Sequence, residues 1–248
     1  MREPIDVVLP VHNEADSIGV TLTEFHRVVA VEGGMPIRFV ICEDGSRDNT
    51  VEVLKNLAGT LPIHLISDPE RKGYSRAVLD GFRAATGSLV GFIDSDGQCD
   101  PRNFAAFVAA QDTGEYDLVF GYRNPRHDHW IRILMSNSFG AVYRMFFSIP
   151  IRDPSCPFLL IHQEALRRVL RGNPGILKQG FWWEFIARCV AAKLRIKELP
   201  VAHRPRAAGE TQVYKPAKVP RIAYEHIIGL SKLKKELRQL AHEHPAAT

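Results

Sequence analysis

No stretch of eighteen or more apolar residues occurs in the 248-residue sequence, so a membrane-spanning helix is not expected. A signal-peptide pattern is missing too, because the chain enters an apolar, strand-like run almost at once. Cysteine is scarce: Cys42, Cys99, Cys156 and Cys189 stand far apart, without zinc-knuckle or CxxC spacing, and free thiols in the cytoplasm are the expectation. None of the ten histidines has a convincing metal partner, and His127, His129, His242 and His244 read as solvated. A strong charge of one sign is also absent, the balance being 32 Lys and Arg against 28 Asp and Glu. No nucleic-acid partner is expected from it. Only the C-terminal third is one-sided, where Lys215, Lys218, Arg221, Lys232, Lys234, Lys235 and Arg238 face only Glu225 and Glu236. Such a segment favours anionic partners such as phosphates or lipid head groups, and a solvated helix face accounts for it as well.

What is present is a hydrophobic content of 45%, enough for a substantial core. Apolar runs at 5–9, 37–42, 63–66, 89–93, 117–120, 158–161 and 195–199 read as strands. Helical patterns fall at 15–31, 49–57, 73–86, 101–110, 130–147, 164–170, 182–192 and 220–241. Alternation at these short spacings predicts an α/β fold with a mostly parallel, Rossmann-like sheet flanked by helices. Residues 1–212 are expected to form the main domain and 213–248 a basic helical extension. In the last helix Ile222, Ala223, Ile227, Leu230, Leu233, Leu237 and Leu240 recur at helical spacing, with lysines between them. It is expected either to pack on the domain or another subunit, or to make peripheral contact with the cytoplasmic face of a membrane.

Asp94-Ser95-Asp96 stands just past the apolar run Leu89–Ile93, before Gly97-Gln98-Cys99-Asp100-Pro101 breaks the chain. In an open α/β sheet, ligands bind beyond the carboxyl ends of the strands. Two acids one residue apart repel unless a cation lies between them, and a hard divalent ion with oxygen ligands suits the place. Taken alone, Asp-x-Asp is better explained by a solvated acidic turn. Three further polar clusters follow strands, however: Pro10-Val11-His12-Asn13-Glu14, Glu43-Asp44-Gly45-Ser46 and Gly121-Tyr122-Arg123. Parallel strands would bring all four to one edge. Acids after the second strand suit base N–H and sugar hydroxyl groups, and the arginine suits phosphate.

These blocks together resemble the signatures of family 2 glycosyltransferases: Pro10–Glu14, Glu43-Asp44-Gly45-Ser46-Arg47-Asp48-Asn49-Thr50, Arg71-Lys72-Gly73-Tyr74-Ser75-Arg76-Ala77 and Asp94–Asp96. The second half resembles dolichol-phosphate mannosyltransferases and related polyprenyl-phosphate enzymes. Its elements are Asp96-Gly97-Gln98, Gly121-Tyr122-Arg123, Trp130–Ser136, Asp153-Pro154-Ser155-Cys156-Pro157-Phe158 and Arg206-Ala207-Ala208-Gly209-Glu210-Thr211. The resemblance implies a glycosyltransferase A-type fold and dependence on Mg²⁺ or Mn²⁺ held by Asp96, Gln98 and Asp94. It implies a nucleotide-diphospho-sugar donor, GDP-mannose or a UDP-sugar, bound by Pro10, His12, Glu14, Glu43, Asp44, Ser46, Arg76, Asp94, Ser95, Arg206 and Thr211. It implies a polyprenyl phosphate acceptor and transfer with inversion, with Asp94, Asp96, Arg123, Arg132 and Asp153 as catalytic residues. The chain departs from the pattern at His12, Glu43, Pro157 and Gln212.

An ionised phosphate acceptor needs cations and no general base, which Arg123 and Arg132 answer. A hydroxyl acceptor would need a base, for which Asp153 and Glu184 are the candidates. Asp153 also reads as a turn cap before Pro154, Arg132 as a surface arginine, and Phe181-Trp182-Trp183 as core more readily than as an acceptor platform. The alternatives are transfer to a soluble hydroxyl and a sugar nucleotidyltransferase. The latter lacks its glycine-rich opening loop here. A sugar-binding module without activity ranks last.

Overall fold

The computed structural model of the protein describes residues 2–124, 130–147, 149, 151–177, 180–204 and 219–243, with backbone alone at 130–137, 219–223 and 243. Its strands are β1 (Ile5–Val11), β2 (Ile37–Asp44), β3 (Ile63–Asp68), β4 (Leu89–Ile93), β5 (Leu118–Arg123), β6 (Phe158–His162) and β7 (Ile196–Val201). They form one sheet in the order β3-β2-β1-β4-β6-β5-β7. Strands β1 to β4 pair in parallel, β6 runs antiparallel to both of its neighbours, and β5 pairs in parallel with β7. Every strand but β6 therefore ends on the same edge. The expected α/β architecture is what the chain adopts.

The helices are α1 (Ile18–His26), continued by a π-helical stretch over Arg27–Glu32, α2 (Thr50–Leu57), α3 (Tyr74–Ala84) and α4 (Phe104–Asp112). There follow α5 (Trp130–Phe146), α6 (Gln163–Val169), α7 (Phe181–Ala191) and α8 (Val219–Glu243). All residues of β1 and β4 are buried, as an unbroken apolar run demands when helices cover both faces of a sheet. On one face Phe92 of β4 meets Trp182 of α7 edge-on at 4.5 Å, beside Phe82 of α3. On the other, Phe25 of α1 lies 6.0 Å from Phe39 and 5.3 Å from Phe104 of α4. These offset and edge-to-face contacts are the ones aromatic quadrupoles favour. Buried Asp6 accepts from Arg38 and from the N–H groups of Thr86 and Gly87, which holds the turn that feeds β4.

A second, smaller core joins α5, α7 and α8 through Tyr143, Leu177, Trp183, Ala187, Leu230 and Leu233. Phe139 of α5 touches His226 of α8, and seven residues on Phe146 lies under Lys234. Helices α5 and α8 thus run parallel. Helix α7 joins them in the same sense, since Gly180 before its start lies against His226 and Arg188 near its end pairs with Glu236. The inner face of α8 is therefore packed on the domain.

A buried ion cluster locks this arrangement. The Arg188 Nε donates to Glu184 Oε1 at 2.8 Å, and its Nη2 lies 3.1 Å from Glu236 Oε1. Glu184 also accepts the N–H groups of Gly175 and Leu177, and Arg188 donates to the carbonyls of Arg171 and Asn173. Removing one partner of a buried, hydrogen-bonded pair strands the other charge, so Glu184→Ala should cost about 3–5 kcal/mol of stability. Urea denaturation of the variant beside the parent checks this, and a loss below 1 kcal/mol would contradict it.

Candidate functional site

The carboxyl edge of the sheet gathers the four polar clusters, and backbone N–H or hydroxyl donors meet the acids there. The β1 and β2 exits are zipped together. Asn13 N–H donates to Ser46 Oγ at 2.9 Å, Arg47 N–H to Asn13 Oδ1 at 2.8 Å, and Glu14 N–H to Thr50 Oγ1 at 2.9 Å. Asn13 adopts a positive φ of 53°, a conformation that asparagine tolerates better than most residues. Glu14 accepts from the Ser17 hydroxyl. Buried Glu43 accepts from Ser46 N–H at 2.5 Å and from the Ser67 hydroxyl at 2.7 Å.

Asp44, also buried, receives the N–H of Lys72 on one oxygen at 2.6 Å and that of Gly73 on the other at 2.9 Å. That contact needs the loops to approach closely. At Gly45, with φ of 64°, a Cβ would stand 2.7 Å from the Arg71 nitrogen. Pro10 is buried at the end of β1 and His12 is half-buried, its ring within 3.2 Å of the Asn13 amide. Arg76 is exposed and pairs with Asp80 on its own helix.

Past β4, Asp94 Oδ1 accepts the Tyr74 hydroxyl at 2.8 Å, and that hydroxyl oxygen accepts the Trp182 indole N–H at 2.9 Å. Tyr74 is exposed over 40% of its surface, but desolvation around its hydroxyl first, and the charge of Asp94 next, push the phenol well above its ordinary range, so it remains a donor. Ser95 is buried, and Asp96 accepts the N–H of Gln98 in an Asx-type turn at 3.1 Å. The turn passes through Gly97 at φ of 68°. Gln98 Nε2 donates to the Arg204 carbonyl at 3.2 Å, and Arg204 N–H returns to the Gln98 carbonyl at 2.7 Å.

A bridge between Cys99 and His203 completes this clasp, with the Arg204 guanidinium reaching Glu24 and Asp100. The chain leaving β7 therefore lies against the Asp96–Asp100 turn. Sequence reasoning missed His203, Arg204 and Tyr74. The last is legible in retrospect as an aromatic at the first helical position after Gly73.

The sequence expectations for the acceptor side meet a different geometry. Arg123 is 5% exposed and grips Asp153, 12% exposed, with Nε to Oδ2 at 2.7 Å and Nη2 to Oδ1 at 2.9 Å; Nη2 also donates to Ser155 Oγ. The pair ties the end of β5 to the Asp153–Ser155 turn, and its two charges offset each other. Glu184, considered as a base, is instead the buried anchor of α7, and Trp182 and Trp183 belong to the packed interior. Arg132 lies on the first turn of α5, with its side chain outside the described residues. Arg206 and Thr211, and the expected boundary at 212, also fall outside them. The four cysteines are free; burial pushes the Cys42 thiol up to about 12 and raises the others.

Asp94, Asp96 and Gln98 follow β4 within five residues and carry oxygen donors of the kind Mg²⁺ and Mn²⁺ take. The Gln98 contact assigns its nitrogen to Arg204 and so orients the amide, which fits such an ion. No cluster of three or more His, Cys, Asp or Glu ligands occurs among the described residues.

Asp100 is a measurable reporter of this clasp. Burial alone would raise its pKa, but hydrogen bonds from Arg102 and Arg204 outweigh it and hold the carboxyl at about 2. A depressed folded-state value means its contribution is complete above the ordinary 3.8 and is lost as pH falls through about 2. Asp100→Asn should flatten that acid limb of the stability curve. Urea midpoints measured from pH 5 to 2 check it, and an unchanged slope would contradict it.

The family model for glycosyl transferase family 2 aligns with residues 6–170. The chain is 30% identical over 225 residues to glycosyltransferase AglD of Haloferax volcanii, covering 84% of this chain but only 34% of AglD. It is 26% identical over 211 residues to the undecaprenyl-phosphate 4-deoxy-4-formamido-L-arabinose transferase of Edwardsiella ictaluri, covering 84% of this chain and 62% of that protein. In fold it resembles glucosyl-3-phosphoglycerate synthase of Mycobacterium tuberculosis, solved with Mn²⁺, UDP-glucose and phosphoglyceric acid. The TM-score is 0.65 at 19% identity, covering 94% of this chain and 80% of that one.

Proposed function

The chain belongs to glycosyl transferase family 2, and we propose that it moves a hexose, with inversion, from GDP-mannose or a UDP-sugar to a polyprenyl phosphate, using Mg²⁺ or Mn²⁺. The observation that carries the acceptor assignment is the engagement of both candidate bases. Asp153 faces the Arg123 fork and Glu184 is buried on the inner side of α7 against Arg188, whereas an ionised phosphate needs no proton removed. The Edwardsiella relative, named for an undecaprenyl-phosphate acceptor, supports the same reading.

In this reading a phosphate oxygen of the acceptor forms a bond to the anomeric carbon as the bond to the nucleoside diphosphate breaks and that leaving group takes the electron pair. Glu14, Glu43 and Asp44 accept from base and ribose at the β1 and β2 exits, with Pro10, His12 and Ser46 shaping that wall. Asp94 with Ser95 orients the donor sugar. Asp96 and Gln98, with Asp94, would hold the divalent ion, which when bound offsets the charge developing on the leaving diphosphate. Arg76, Arg206 and Thr211 serve the diphosphate, and Arg132 the acceptor phosphate; Arg123 and Asp153 shape the acceptor side as a pair.

No helix among the described residues is long and apolar enough to cross a membrane. A lipid acceptor must then be reached from the membrane surface. Tyr224, Ile227 and Ile228 are exposed near the start of α8, with Lys232, Lys235 and Arg238 exposed further along. That pattern supports peripheral contact of the basic extension with an anionic bilayer at the cytoplasmic face. Ile227→Glu with Ile228→Glu should abolish co-sedimentation with phosphatidylglycerol vesicles while leaving the melting temperature unchanged. Vesicle binding equal to the parent would remove this contact from the proposal.

Incubating the protein with GDP-mannose or UDP-glucose and undecaprenyl phosphate tests the function directly. Lipid-linked sugar should form, excess EDTA should stop it, and Asp96→Ala should lower turnover by several powers of ten, since metal charge stabilisation is worth several kcal/mol. Arg132→Ala should weaken acceptor use by about tenfold to a hundredfold, from roughly 1.5–3 kcal/mol of charged hydrogen bonding, without changing slow donor hydrolysis. Transfer to free glycosides with none to any polyprenyl phosphate would overturn the acceptor, and full activity in EDTA would overturn the metal.

A further inference from the structure

Asp94 is held by a chain of two hydrogen bonds whose direction is fixed by chemistry. An indole N–H can only donate, so the Tyr74 oxygen must accept from Trp182 at 2.9 Å. The one Tyr74 proton is then aimed at Asp94 Oδ1, 2.8 Å away. Trp182 cannot easily shift, because its ring is wedged against Phe92, Phe181 and Phe185 with centroids 4.5, 5.1 and 5.5 Å distant. Tyr74 is equally constrained from the other side. It follows Lys72 and Gly73, whose N–H groups both sit on Asp44. Three consecutive residues thus connect the acid after β2 with the acid after β4. The tryptophan that serves the core also sets the orientation of a carboxylate at the site.

We propose that Tyr74, oriented by Trp182, is a positioning residue that fixes the Asp94 carboxylate relative to Asp44, so that nucleoside and sugar-metal contacts keep one register. The inference rests on the reading of Asp94 as a donor and metal contact, and the experiment separates the two. Tyr74→Phe removes one oxygen and keeps the ring, so it should fold like the parent. Its kcat should fall by about tenfold to a hundredfold, the worth of a charged hydrogen bond, with the donor KM changed less than about threefold. Mn²⁺ affinity in the presence of GDP or UDP, titrated by electron paramagnetic resonance without acceptor, should weaken by about tenfold. Trp182→Phe should fall between Tyr74→Phe and the parent, because the hydroxyl survives but loses its orienting donor.

Asp94→Asn is the reference variant. If it impairs turnover and Mn²⁺ binding while Tyr74→Phe matches the parent, the inference fails and the site reading stands. If Asp94→Asn itself changes neither, the site reading fails and takes the inference with it. A Tyr74→Phe defect that tracks a melting-temperature drop of more than about 5 °C, with Mn²⁺ affinity intact, would mark a purely structural tyrosine and overturn the proposal.

Discussion

Everything at this site depends on holding several carboxylates close together without letting their repulsion open the loops. Glu43 and Asp44 end β2, and Glu14, Asp94, Asp96 and Asp100 stand beyond the carboxyl ends of β1 and β4. Glu43, Asp44, Asp94 and Asp100 accept from a neighbouring segment and Glu14 and Asp96 from within their own turns, with backbone N–H groups serving Glu43, Asp44, Asp96 and Asp100. Donors pinned by the fold satisfy carboxylate oxygens without contributing mobile counter-charge. They also make each acid a staple, so the loops are ordered by the groups that would otherwise splay them. A ligand with N–H, hydroxyl or metal character meets acceptors already aimed, and little reorganisation remains at the moment of reaction.

The positive side of the edge is arranged in the opposite way. Arg123 and Asp153 are nearly buried together, and Arg204 bridges Glu24 and Asp100. Burying such pairs carries a desolvation cost that their attraction only partly offsets, so they contribute position more than stability. Position is what the site needs: one pair sets the end of β5, the other sets the strand leaving β7 against the Asp96–Asp100 turn. Neither pair offers a base to a hydroxyl nucleophile. A nucleophile that arrives already charged suits such a surface better than one that must be deprotonated.

The alternating apolar runs made the α/β class legible, and the strands and helices lie within a few residues of where periodicity puts them. Asp94-Ser95-Asp96 was legible less by itself, since acids are common in turns, than because three further polar clusters follow strands that share its edge. What stayed hidden was pairing at a distance. Arg123 looks like a phosphate ligand until Asp153, 30 residues away, is seen in its fork. Glu184 looks like a base until Gly175, Leu177 and Arg188 close around it. A sequence displays which groups carry charge, but their availability depends on partners that only folding brings together. Tyr74 and Trp182 were obscured for a related reason: aromatic residues usually report packing, and their polar atoms are silent until a partner appears.

Helix α7 is where packing and chemistry meet. Its first turn places Trp182 between the sheet aromatics and the Tyr74 hydroxyl and Trp183 in the core shared with α5 and α8, while its later turns add Ala187 to that core and pair Arg188 with Glu236. Helices α5, α7 and α8 run parallel, so the exposed residues Tyr224, Ile227 and Ile228 sit toward the end at which α7 reaches Tyr74 and Asp94. A rigid helix couples its two ends because its backbone bonds leave no soft joint between them. The exposed apolar residues of α8 and Asp94, the acid proposed to orient the donor sugar, therefore lie toward the same end of one packed unit, which suits the proposed acceptor reached at a surface and donor held at a sheet edge.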